Sequence, residues 1–165
     1  MSMKHNRKNM RLEGFDYSSP GSYFITICTK HRRKILCDIV GGGALDAPSV
    51  HLTKIGLVVQ KHIERINICY LDVRVDKYVI MPNHVHLLLT IPWKNIEQKK
   101  STPANAIIPR TISSFKTFVT KEIGYPIFQR SDHDHIVRNE YDYEDIWNYI
   151  DTNPRKWQED RFYAP

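Results

Sequence analysis

Residues Tyr78–Thr90 read YVIMPNHVHLLLT, and the fold turns on how this stretch is laid out. β-Branched and aromatic residues before Met81-Pro82-Asn83, and apolar alternation after it, predict two strands joined at a turn that proline and asparagine favour. In the second arm successive side chains point to opposite faces. His84 and His86 therefore share one face while Val85, Leu87 and Leu89 share the other. One face packs. The other presents two imidazoles, one apolar residue apart, that have little freedom to lose in gripping a divalent ion. By itself the pair also fits polar residues on the wet face of a half-covered sheet.

Working outward, Leu71–Ile80 (LDVRVDKYVI) alternates cleanly and supplies the first arm of the hairpin. Before it, Ile55, Val58, Val59, His62, Ile63 and Ile66 recur at helical spacing behind Thr53, a suitable N-cap. Further upstream, Ser22–Lys30 (SYFITICTK) predicts a strand, entered through the turn formers Ser18, Ser19, Pro20 and Gly21. The basic run His31, Arg32, Arg33 and Lys34 follows, placed either to meet phosphates or to form a solvated edge. Gly41–Pro48 (GGGALDAP) is a loop or hairpin without the lysine and hydroxyl residue of a phosphate-cradling P-loop, so no nucleotide cofactor is expected.

Downstream, the polar stretch Trp93–Ala106, which contains Pro103, reads as a flexible linker. A helix is predicted from about Pro109 to Ile123, with Ile112, Phe115, Phe118 and Val119 as its apolar stripe. His135–Arg138 is a candidate short strand. A last helix over Asn139 to about Thr152 carries acids in its first turns and stops at Asn153-Pro154. Strand, helix, two strands, helix, strand, helix is the order of an α+β ferredoxin-like (RRM-like) antiparallel sheet, with helices on one face and the other face left open.

The 165 residues suit one domain, with a mobile basic arm over about residues 1–11. Apolar runs fall well short of the roughly 20 residues a spanning helix needs, and the N-terminus has no apolar export segment, so a cytoplasmic protein without membrane association is expected. Three cysteines, Cys28, Cys37 and Cys69, show no paired spacing and argue against a disulfide framework or thiolate zinc site. Lys and Arg number 24 against 18 Asp and Glu, a net charge of +6 that favours polyanionic partners.

Tyr149 and Asn153 lie four residues apart on the last helix and so share a face. A phenol can attack a phosphodiester when a metal polarises the phosphorus, and an amide oxygen could complete a two-histidine site. Residue type alone equally allows a packed aromatic and an ordinary helix stop.

MPNHVHLLL, QRSDHDHIVRNEYDYEDIWNYIDTNPRKW and the N-terminal NMRLEGFDYSSPGSYFITICTKHRRKIL together resemble the REP-associated tyrosine transposases, relatives of the single-tyrosine insertion-sequence transposases within the HUH endonucleases. The resemblance covers nearly the whole chain. It implies that His84 and His86 are metal ligands, that Asn153 is the amide ligand and that Tyr149 is the nucleophile. It further implies a divalent ion, Mg²⁺ or Mn²⁺, and chemistry on single-stranded DNA beside REP-like hairpins through a 5′-phosphotyrosine link that frees a 3′-hydroxyl. Lys4, Arg7, Lys8, Arg11, Arg32, Arg33, Gln129, Arg130, His135 and Arg138 are the candidate DNA-binding residues. Phe128, Asp132 and His133 depart from the family pattern, which carries Trp before Gln-Arg and aromatics after it. The alternative is a hairpin DNA- or RNA-binding module that regulates without cutting. The chain would act as a monomer or homodimer.

Overall fold

The computed structural model describes residues 12, 14–41, 47–93 and 106–163. Lys4, Arg7, Lys8 and Arg11 of the basic arm, and all but the ends of the expected linker, lie outside them. In chain order the elements are β1 (Gly21–Cys28), β2 (Cys37–Val40), β3 (Ser49–Leu52), α1 (Lys54–Cys69), β4 (Arg74–Met81), β5 (His84–Ile91), α2 (Ile107–Ile123), β6 (His133–Ile136) and α3 (Glu140–Thr152).

Four strands form one antiparallel sheet in the order β4-β5-β1-β6. β5 is therefore interior, and its register sets Cys28 opposite His84 and Thr26 opposite His86. This is the predicted α+β sandwich with one addition. β2 and β3 pair as a separate hairpin around the Gly41–Pro48 segment.

Local chemistry starts and stops the helices where the sequence provides caps. Thr53 Oγ1 accepts the Gly56 amide at 3.0 Å at the head of α1, and Asn139 Oδ1 accepts the Asp142 amide at 3.0 Å at the head of α3. Gly124, at φ 93°, ends α2 in a left-handed turn that only glycine enters without strain. After Thr152 the chain does not simply stop at Asn153-Pro154. It continues in 3₁₀ turns through Glu159.

The two faces of β5 divide as the alternation requires. Val85, Leu87 and Leu89 join Ile25 and Ile27 of β1 in the main core against Val59, Ile63 and Ile66 of α1 and Ile112, Phe115 and Val119 of α2. On the other face Leu88 meets Ile146 and Ile150 of α3, with Phe24 and Val79 packed beside them. α3 thus crosses the face that α1 and α2 leave open. Burying its two isoleucines stabilises the docking by about 3–6 kcal/mol before ordering entropy is subtracted.

Three local expectations change. Phe118 sits at the edge of the α2 stripe, about half exposed, where it stacks on His62 with centroids 6.1 Å apart. β1 ends at Cys28, because Lys30–Arg32 form a 3₁₀ turn in which His31 and Arg32 have φ of 56° and 55°. The last strand covers His133–Ile136, starting two residues early. Among the described residues no helix is long and apolar enough to cross a membrane.

Candidate active site

β5 brings His84 and His86 to full burial under α3, with their Nε2 atoms 3.0 Å apart. The outer nitrogens are already spoken for. His84 Nδ1 lies 2.8 Å from Asn83 Oδ1, and the amide is oriented by its Nδ2 donating to the Phe162 carbonyl at 2.8 Å. An amide oxygen only accepts, so His84 Nδ1 carries the proton and Nε2 keeps its lone pair. His86 Nδ1 lies 2.8 Å from Thr26 Oγ1 on the neighbouring strand.

Burial pushes the His84 imidazole down to about 4; Asp160 pulls the other way, and Arg32 and Arg161 add to the fall. Burial, reinforced by His84 and Arg161, also holds His86 well below the ordinary histidine range. Two neutral imidazoles thus meet at their Nε2 atoms, close enough for an N–H of one to donate to the lone pair of the other.

The oxygen donors come from the chain after α3. Asp160 Oδ2 lies 4.0 Å from His84 Nε2, and its carboxylate is almost wholly buried. It accepts from Tyr149 Oη at 3.0 Å and from Asn153 Nδ2 at 2.8 Å, while Asp160 Oδ1 accepts the Phe162 amide at 2.6 Å. Asn153 Oδ1 is buried without a hydrogen-bond partner. Among the described residues His84, His86 and Asp160 form a group whose ligand atoms all lie within 4.8 Å of one another. Two imidazole nitrogens, a carboxylate and an orphaned amide oxygen fit a divalent cation that accepts mixed nitrogen and oxygen ligands.

Tyr149 reaches this group from α3. Its hydroxyl lies 3.4 Å from His86 Nε2, and its ring stands edge-on to Phe24, which stacks on His86 with centroids 5.0 Å apart. Burial, then the charge of Asp160, pushes the phenol up to about 12. The ring is still about one-third exposed, so a large substrate can reach it. A small cavity of about 120 Å³ opens beside it, lined by Thr26, His86, His133, Tyr149, Arg161 and Phe162 among others.

The remaining candidates are scattered. Arg32 and Arg161 lie over the Phe162 ring at 4.6 and 4.5 Å, and the positive charge of both acts on His84. Arg33 is exposed beyond the same turn. Gln129 is bound into the scaffold, donating from its backbone to Cys28 and from Nε2 to Thr29 at 3.0 Å, and Arg130 is exposed beside it. His135 and the Arg138 backbone both bind Asp142 in the first turn of α3.

Asp160 escaped the sequence reading, as did the orienting roles of Asn83 and Thr26. Asp160 follows seven residues of 3₁₀ turn that have no hydrophobic period. The one available signal was an acid shortly after a Y-x-x-x-N pair, and Glu159 beside it carries the same signal.

The chain matches no established family model. It is 31% identical over 178 residues to an uncharacterized protein of Haemophilus influenzae, an alignment covering 97% of this chain and 94% of that protein. It also superimposes on a solved REP-associated tyrosine transposase bound to a REP hairpin, with a TM-score of 0.60, 20% identity, and coverage of 89% of this chain and 72% of that one. The fold is therefore that of the REP-associated tyrosine transposases. Within it, the chain belongs to the family of the Haemophilus protein.

Proposed function

We propose that this protein is a metal-dependent endonuclease and strand transferase that cuts single-stranded DNA beside a hairpin through a covalent bond to Tyr149. The observation that carries the reading is the Tyr149 hydroxyl, 3.0 Å from Asp160 and 3.4 Å from His86 at a two-histidine, one-carboxylate group. The hairpin ligand is supported by the similarly folded transposase that holds one. His84, His86 and oxygens of Asp160 and Asn153 would hold Mg²⁺ or Mn²⁺, which when bound supplies Lewis-acid polarisation of the scissile phosphate.

The side chains do the rest. A phenol pushed up to about 12 is protonated near neutrality, so attack requires that its proton leave. Asp160 already accepts that proton's hydrogen bond and takes it as Tyr149 Oη bonds to phosphorus. The bond from phosphorus to the 3′ oxygen breaks, and this oxygen takes up a proton from water to become a free 3′-hydroxyl. The 5′ phosphate stays on the tyrosine. Arg32 and Arg161 place positive charge where the phosphate gathers negative charge. Because the phosphotyrosine bond conserves the energy of the phosphodiester, a 3′-hydroxyl can reverse the attack without a nucleotide cofactor.

The test incubates wild-type protein and Tyr149→Phe with end-labelled hairpin DNA bearing single-stranded flanks, with Mg²⁺, Mn²⁺ or EDTA. Wild type should yield a denaturation-resistant adduct whose peptide map places the DNA on Tyr149. Tyr149→Phe should bind the hairpin equally well and form no adduct. Cleavage by Tyr149→Phe, or DNA on another residue, would overturn the mechanism. Hairpin binding by wild type without any cutting would favour the regulatory module instead.

A further inference from the structure

On the side of the sheet away from Tyr149, between α2 and the 126–132 segment, lies a cavity of about 830 Å³. It shares no lining residue with the small cavity at Tyr149. Its charged lining is Lys30, Lys116, Lys121, Arg130 and a single acid, Asp132. Ser113, Thr117 and Thr120 add hydroxyls along the same face of α2. Lys116 acts as a strut, donating to the carbonyls of Gln129 and Arg130 at 3.2 and 3.3 Å and to Asp132 at 2.9 Å. That ion pair offsets the one carboxylate. The exposed Lys30, Lys121 and Arg130 then leave the cavity strongly positive.

The shape and chemistry indicate what fits. A lone phosphate would occupy only a small part of this volume. The aromatic side chain in the lining, Phe128, is itself buried in the core and offers no platform for a stacked base. Spaced ammonium, guanidinium and hydroxyl groups without a base platform suit a sugar–phosphate backbone. The cavity is also joined to the catalytic end of the sheet. Gln129 bonds to the backbone of Cys28 and Thr29, Thr29 donates its amide to the Asn83 carbonyl at 2.9 Å, and the Asn83 side chain fixes His84.

We propose that this cavity is a second anchoring site, which grips the phosphate backbone of the DNA whose strand enters the Tyr149 site. The inference rests on the endonuclease reading above, and it adds residues of α2 and Lys30 to the DNA contacts.

The experiment uses a Tyr149→Phe background, so that no covalent product forms, and fluorescence anisotropy with a hairpin oligodeoxynucleotide carrying a single-stranded tail, measured over a series of KCl concentrations. Lys30→Ala/Lys121→Ala should weaken binding and flatten the dependence of log Kd on log salt by about one unit for each lost phosphate contact. Lys54→Ala/Arg65→Ala removes two exposed cations of α1 outside the cavity and should leave the slope unchanged. Repeating the titration with tail alone and with tailless hairpin assigns the contact to strand or stem, according to which probe keeps the effect. An unchanged slope in the cavity variant, or equal flattening in the α1 variant, would overturn the proposal while leaving the catalytic reading intact. If the parent protein binds neither probe, the DNA reading itself fails.

Discussion

Asn83→Ala tests whether the turn before β5 holds the histidines for a cation. Asn83 is wholly buried and joins His84 to the Phe162 carbonyl, so the truncation leaves an imidazole N–H and a carbonyl without partners. Each buried polar group left unpaired costs about 1–3 kcal/mol, so the fold should lose about 2–6 kcal/mol in urea denaturation. The His84 ring also loses the acceptor that fixes its tautomer. Loss of such an outer partner weakens metal binding about 10–100-fold. Calorimetric titration of the folded variant with Mn²⁺ should show that drop. Asn83→Asp separates the two effects: it keeps an acceptor for Nδ1 but cannot donate to Phe162, so it should lose stability while holding Mn²⁺ at least as tightly as wild type. A folded Asn83→Ala protein with wild-type Mn²⁺ affinity would refute the argument that Asn83 prepares His84 as a ligand.

Two further outcomes follow from packing and from charge. At Gly56 an added Cβ would lie 1.9 Å from the Leu36 carbonyl oxygen, a backbone atom that cannot swing aside, so Gly56→Ala should cost about 3 kcal/mol; an unchanged thermal midpoint would contradict this close approach of α1. The His84 imidazole protonates near 6.5 when unfolded but only at about 4 when folded. The unfolded chain therefore binds the proton first as pH falls. Stability due to His84 is full above about 6.5 and declines towards 4, by about 3 kcal/mol at most. His84→Gln should flatten this part of the urea-midpoint profile between pH 7 and pH 4, whereas parallel profiles for the two proteins would show that His84 is not buried in its neutral form.

What the sequence revealed depended on periodicity and caps. β5 was legible because alternation assigns its faces without knowledge of the neighbours, and His84 and His86 did fall together opposite Val85 and Leu87. α1 was legible because Thr53 marks its start, and α3 because acids crowd its first turns and Asn153-Pro154 closes it. β2 and β3 are legible only as the loop or hairpin over Gly41–Pro48, since strands of four mostly exposed residues carry little alternation. Phe118 falls at the rim of the core because a helical stripe has an edge, and the His62 ring that shares this one comes from another helix. The candidate site was half readable: spacing places Asn153 one turn after Tyr149, but only the fold returns Asp160 to both of them.

The helix that carries Tyr149 is the lightly moored layer of this molecule. Its buried apolar contact is Leu88, Ile146 and Ile150. Much of the remaining attachment is polar, through Lys77 to Asp151 at 2.5 Å, Tyr143 to Asp76 at 3.1 Å and Lys77 over the Trp147 ring at 4.2 Å. The sheet and the other two helices share a far larger core. Opening free energies should therefore fall into two tiers, with the amides of α3 exchanging with solvent by a partial opening that leaves the sheet protected. Salt should lower the upper layer's barrier to opening more than the lower one's, because screening reaches its charged moorings first. In such a molecule the phenol and the imidazoles belong to separate cooperative units, and their meeting is an equilibrium that can shift while the rest of the fold stands still.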